Sequence, residues 1–303
     1  MWNPNYSKLM DFETWMAAAG QIFFSLSVGF GVIINYSSYM KKRDDVVLSS
    51  LAANSTNELF EVGFGGMITL TASVVFLGLS GTTAAVAGGS FGLGFTTLPV
   101  VFAHMGLWGN FIGAVWFFML FLAAITSSLS MYQPAVAFIK EGMGWSHAKS
   151  TSAIVAMALG GAGLTLWFTE NGSFWSTLDF WVGTLLIFVM AALQIIFFSW
   201  VFGIERGWKE MHAGASIRIP PIFKFIMKWV APLYLIIIFT GFCIQNLGSS
   251  LAAAWATTGS RMAMITMLVT LGILLFVCRN GERRWRAAGI DLDDKFPDKE
   301  DLV

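Results

Sequence analysis

Seven stretches long and apolar enough to cross a lipid bilayer follow one another along 303 residues, at about 15–40, 60–80, 110–139, 149–169, 178–203, 224–246 and 255–279. A bilayer core takes about 20 apolar residues of helix, and backbone buried there must satisfy its own polar groups. The expectation is therefore an all-α integral membrane protein with seven transmembrane helices. Composition agrees, with 56% hydrophobic and 12% charged residues and a mean hydropathy of +0.69. The stretch 81–109, glycine-rich and broken at Pro99, reads as an extracellular re-entrant hairpin of short helices, since such backbone survives only where protein or water satisfies it.

Charge fixes an expected orientation. Basic residues crowd the turns after spans one, three and five and the final tail: "KKRDD" at 41–45, Lys140 and Lys149, Arg206 to Lys228, and Arg279 to Arg286. The opposite face holds only Lys8 and Arg261. By the positive-inside rule the first set is cytoplasmic. That places segment 1–14 outside a plasma membrane, the transmembrane domain over 15–280, and the tail 281–303 in the cytoplasm, disordered from Asp291. The start, "MWNPNYSKLMDFETW", has no signal-peptide pattern, so an external N-terminus suggests that a preceding segment or a partner chain exists.

Other classes are disfavoured. Net charge is zero, without a basic stripe, so no nucleic-acid partner is expected. Cys243 and Cys278 sit inside apolar runs as packed residues. No His-Glu-x-x-His motif occurs, and His104, His147 and His212 are read as scattered loop residues, so an enzyme is not expected.

Three polar groups inside the apolar spans stand out. The first span carries "FFSLSVGFG" at 23–31. Two glycines weaken the helix by about 1 kcal/mol each, and the serines compete for its backbone groups. Either the helix unwinds and exposes carbonyls suited to cations, or the small residues form a packing seam. In "LFLAAITSSLSMYQP" at 120–134, Thr126 and Ser127 follow Ala123 by three and four residues, so both hydroxyls reach the turn of its carbonyl. This is a hard, neutral oxygen set for a small monovalent cation, unless the hydroxyls bond back to their own helix. In "NSTNELFEVGFGG" at 54–66, Asn57 and Glu61 share a face four residues apart. Carboxylates at this depth are either functional or snorkel to the edge, which suits Glu58 better than Glu61.

Taken together, "GQIFFSLSVGFG", "TNE" at 56–58, "ITSS" at 125–128, "TLDFWVGT" at 177–184 and "GIERGWKEM" stand in family order and spacing. The chain resembles the neurotransmitter:sodium symporters, bacterial amino-acid type, over nearly all its length. This family also supplies the standard case of broken helices at an inverted-repeat interface, so the reading of the first span as a broken helix is not independent of that case. The resemblance implies that Phe24, Ser25, Ser27 and Phe30 form the unwound part of the family's sixth helix and line the substrate pocket with Ser127 and Met131. It implies two sodium sites: Ser25 and Asn57 in one, Ala123, Thr126 and Ser127 in the other. Glu61 would replace the chloride of chloride-dependent relatives. Asp179 would belong to the external gate, and Tyr39 and Glu141 to the cytoplasmic gate, although a shorter acid is the familiar residue at the second of these.

The family has about twelve spans, and this chain matches the sixth to the twelfth, so the LeuT-type inverted repeat would be incomplete. Both sodium sites would be completed by the missing five spans. The resulting function is sodium-coupled symport of a neutral, hydrophobic amino acid, inactive without those spans. The competing reading is a self-contained seven-span receptor or binding scaffold.

Overall fold

A computed structural model describes residues 5–41, 43–87, 92–168 and 173–290. The tail from Asp291, expected to be disordered, lies outside these, as do residues 88–91 of the expected hairpin. Among the described residues every regular element is helical. Six helices among the described residues are long and apolar enough to cross a membrane: Val46–Val86, Leu107–Met143, His147–Trp167, Ser173–His212, Ile222–Gln245 and Thr258–Ala287. The stretch expected as the first span is not one long helix. It is divided into α1 (Phe12–Ser25) and α2 (Val32–Ser37).

The remaining elements are α3 (Val46–Glu58), α4 (Thr71–Ala87), α5 (Leu98–His104), α6 (Leu107–Met143), α7 (His147–Trp167), α8 (Ser173–Leu178), α9 (Ile187–Ile196), α10 (Ile204–His212), α11 (Ile222–Phe225), α12 (Ala231–Gln245), α13 (Leu247–Ala256) and α14 (Thr258–Ala287). Wide π-helical turns at Leu59–Leu70, Asp179–Leu186, Phe197–Gly203 and Ile226–Val230 join several of them into longer rods. The chain divides into two compact units. The first comprises Met1–Tyr39, Met131–Ile204 and Pro221–Val303, and the second Met40–Ser130 and Glu205–Pro220.

In the first unit α1 is the central strut. Met16 and Ala19 from α1 are buried with Leu185, Phe188, Leu235, Ile238 and Phe242. Each large side chain so removed from water or lipid gap adds close packing, and interiors tolerate few voids. Close approach is possible because Gly20 faces Thr184, where a Cβ would lie 3.0 Å from its methyl. Further along, Pro232 has no N–H, so the wide turn Ile226–Val230 before it is short of one helical donor. Trp200 Nε1 donates to the Lys228 carbonyl at 2.7 Å, and Ser199 Oγ donates to the Met227 carbonyl at 2.7 Å. Trp200 is therefore a cap for backbone.

At the end of α6, Arg284 Nη1 from α14 donates to the carbonyls of Glu141 at 3.1 Å and Gly142 at 3.3 Å, and Asn280 Nδ2 donates to Gly142 at 3.1 Å. A cation at a helix C-terminus opposes the negative end of its dipole. Gly144, at φ +65°, leaves the guanidinium the space a Cβ would fill.

In the second unit the rod Val46–Ala87 is bent at Gly78, whose φ of 70° and ψ of 176° only glycine adopts readily. The bend falls two residues before the limit expected for that span, but helix continues to Ala87. Asp45 caps α3 by accepting from the Leu48 N–H at 2.9 Å and also accepts from Ser216 N–H at 2.7 Å. The three histidines stand at helix ends, not in loops: His104 closes α5, His147 opens α7 and His212 closes α10. A helix terminus has orphan backbone groups, and the imidazoles of His104 and His212 each meet a carbonyl four residues earlier, at 2.8 Å.

Candidate functional site

The break between α1 and α2 covers residues 26–31. Its first half is a Schellman ending: Val28 N–H donates to Phe23 O at 2.8 Å and Ser27 N–H to Phe24 O at 3.1 Å. That motif requires a left-handed residue after the cap. Ser27 fills it at φ 56° in place of the usual glycine, and is the one non-glycine residue with positive φ among those described. Gly29 and Gly31 follow at φ 87° and 78°. Helix resumes when Asn35 N–H reaches Gly31 O at 2.9 Å. Of the residues expected to be unwound, Phe24 and Ser25 are the last turn of α1, whereas Ser27 and Phe30 lie in the break. The difference arises because the Schellman bonds use the Phe23 and Phe24 carbonyls and hold that turn in helical form.

The break is clamped by its surroundings. A Cβ on Gly29 would sit 2.9 Å from the Ile187 carbonyl, and one on Gly31 would lie 3.4 Å from the Pro134 ring. Phe24 and Phe30 meet edge to face across it, with ring centroids 5.4 Å apart. Val32 is buried on the far side. Between the Leu26 N–H, which still bonds the Ile22 carbonyl at 3.0 Å, and the Gly31 carbonyl, the backbone leaves the i,i+4 ladder inside an apolar segment, where polar groups need a partner. Gly29 was not singled out as a contact residue from sequence, and no local signal gives its approach to Ile187.

In the second unit, Asn57 and Glu61 meet as their spacing implies. Asn57 Nδ2 donates to Glu61 Oε2 at 3.3 Å. This bond uses the NH2 group of Asn57, and its amide oxygen is an acceptor. Both residues are half-buried, and Glu61 opens the wide turns of Leu59–Leu70. On α6, Thr126 Oγ1 lies 3.0 Å from both the Leu122 and Ala123 carbonyls, and Ser128 Oγ donates to Ala124 at 2.7 Å. The back-bonded arrangement is therefore the one present. It still presents the Ala123 and Thr126 oxygens side by side, because a hydroxyl that donates one bond keeps acceptor capacity. Ala123, Thr126 and Ser127 are all exposed within this chain.

The remaining candidates are scattered. Met131 stands on α6, 36% exposed, and Tyr39 is 74% exposed beyond α2. Asp179 opens the wide turns of Asp179–Leu186, its carboxylate against Gly183, where a Cβ would come within 3.2 Å of Oδ1. Glu141 is exposed, and its carbonyl is held by Arg284. Nothing in the local sequence announces Arg284 as its partner 143 residues away.

These features define a multi-pass, all-helical membrane protein with broken backbone and carboxamide–carboxylate pairing inside its apolar segments. The profile of the sodium:neurotransmitter symporter family matches residues 1–281, and the chain belongs to that family. It is similar to an uncharacterized sodium-dependent transporter of Methanocaldococcus jannaschii, 28% identical over 235 residues that make up 77% of this chain and 47% of the relative. An uncharacterized sodium-dependent transporter of Haemophilus influenzae is 28% identical over 250 residues, 78% of this chain and 51% of its own length. The sodium-dependent nutrient amino acid transporter 1 of Drosophila grimshawi is 26% identical over 241 residues, 78% and 37% respectively. The chain thus spans about half or less of the length of these curated relatives.

Proposed function

We propose that this chain supplies spans six to twelve of a sodium-coupled symporter for a neutral, hydrophobic amino acid, with five further spans completing a LeuT-type inverted repeat. The observation that carries the reading is the break at residues 26–31, clamped on both sides, in a member of a sodium symporter family. The discontinuous pair α1 and α2 counts as the first of seven spans. Segment 15–280 is the transmembrane domain, with 1–14 outside and 281–303 inside the plasma membrane.

Sodium is a co-transported substrate here, and the residues fit it. Ser25 and Asn57 offer a hydroxyl and an amide oxygen to one ion; Ala123, Thr126 and Ser127 offer a carbonyl and two hydroxyls to the other. All are hard, neutral donors, which suit a small monovalent cation. The Glu61 carboxylate offsets positive charge without chloride and orients Asn57 through their hydrogen bond. Phe24, Ser25, Ser27, Phe30, Ser127 and Met131 line the amino-acid pocket, and the aromatic and thioether groups favour an apolar side chain. Asp179 serves the external gate and Tyr39 and Glu141 the cytoplasmic one. Coupling follows if occupied sodium sites favour one gate state over the other, since a ligand shifts an equilibrium only by its differential affinity.

The test is uptake of a radiolabelled hydrophobic amino acid by cells co-expressing this chain with the N-terminal five spans of a family relative. Uptake should require both pieces and cease when potassium replaces sodium. Equal uptake in the two salts would sink the proposal.

A further inference from the structure

We propose that His212 is an acid-released latch on the segment that leads from α10 into α11. Both ring nitrogens are engaged. Nδ1 lies 2.8 Å from the Trp208 carbonyl, and Nε2 lies 3.1 Å from the Ile219 backbone nitrogen. A carbonyl can only accept and an amide N–H can only donate, so the tautomer is fixed: the proton sits on Nδ1 and Nε2 accepts. A doubly protonated ring has no acceptor. Its Nε2–H would point at the Ile219 N–H, and the bond that holds the segment would be replaced by donor facing donor.

The position makes this bond matter. Pro220 and Pro221 follow Ile219 and have no N–H, so Ile219 bears the last backbone donor before α11. The Trp208 ring lies 4.6 Å from the imidazole, centroid to centroid. An indole face attracts an imidazolium, so protonation leaves the ring in place and expels the segment instead. The other end is held differently. Asp45 accepts from Ser216 N–H at 2.7 Å, and its carboxyl is held below the usual aspartate range by N–H groups of Leu48 and Ser216 and by the Ser216 hydroxyl. That hold therefore persists to more acid pH than an ordinary aspartate would allow. Acid frees the Ile219 end while the Ser216 end stays pinned, and the segment swings. The charged residues of the elements packed here are Lys41, Arg43, Asp44 and Asp45 on the loop that faces Gly214, Glu205, Arg206, Lys209 and Glu210 on α10, and Arg218 beside Ile219.

The whole chain in lipid nanodiscs tests this by hydrogen–deuterium exchange of peptide 213–220, corrected for intrinsic rates. Protection should fall about tenfold between about pH 7.5 and about pH 5.5, the scale of one lost hydrogen bond. His212→Gln should abolish the pH step, and Asp45→Asn should lower protection at both pH values while keeping it. Nitrogen NMR of labelled histidine in the native chain should report the Nδ1–H form near neutrality, which decides the matter even if a variant fails to fold. An unchanged protection on acidification, an equal step in His212→Gln, a step abolished by Asp45→Asn, or an Nε2–H tautomer would each overturn the latch.

Discussion

At the residue scale, Ser27 bears the strain of the break. A side chain in the left-handed region costs about 1–2 kcal/mol, and the Schellman bonds from Ser27 and Val28 hold it there. Ser27→Gly should raise stability by about 1 kcal/mol and Ser27→Val should lower it by at least as much, read from thermal unfolding in detergent. Trp200 makes the second residue-scale prediction. Replacing it by Phe removes its bond to the Lys228 carbonyl, a loss of about 1 kcal/mol in the same assay. The break was legible only in part: two glycines and two serines at the centre of an apolar run allow either an unwound turn or a close-packed helical seam, and the positive φ of Ser27, Gly29 and Gly31 selects the first. The role of Trp200 was not legible. It depends on a carbonyl in another element, 28 residues separating donor from acceptor, and local patterning says nothing of such pairs.

At the element scale, the second half of the break is held by packing. Gly29→Ala adds a methyl 2.9 Å from the Ile187 carbonyl at a positive φ. It should destabilise the first unit by about 2 kcal/mol or more, and increased exchange across peptide 20–32 would locate the effect. The end of α6 depends on α14 in a different way. Arg284→Gln should raise exchange of peptide 139–144 by the few-fold expected of about 1 kcal/mol, with the rest of α6 unaffected. The long helices were readable from hydropathy, whereas their wide π turns were not, since those insert residues without altering composition. The i,i+4 spacing correctly paired Asn57 with Glu61, because a helix fixes that geometry locally. For Thr126 the spacing could not choose between ion and backbone, as both lie on the same turn.

At the scale of the whole molecule, pH acts on the loops outside the membrane segments. The depressed carboxyl of Asp45 stabilises the folded loop at any pH above the ordinary aspartate range, and this contribution is lost as pH falls through its lowered value. Asp45→Asn should accordingly reduce stability at neutral pH and flatten the loss under strong acid, measured by urea unfolding across that range. The larger claim concerns ions. Binding of radiolabelled sodium to this chain, co-assembled with the N-terminal spans of a relative, tests it most directly. The account predicts saturable binding that weakens in Asn57→Ala and in Thr126→Val, each of which removes an oxygen donor from a different one of the two proposed sites. Sodium binding that is absent, or that both substitutions leave unchanged, would contradict it.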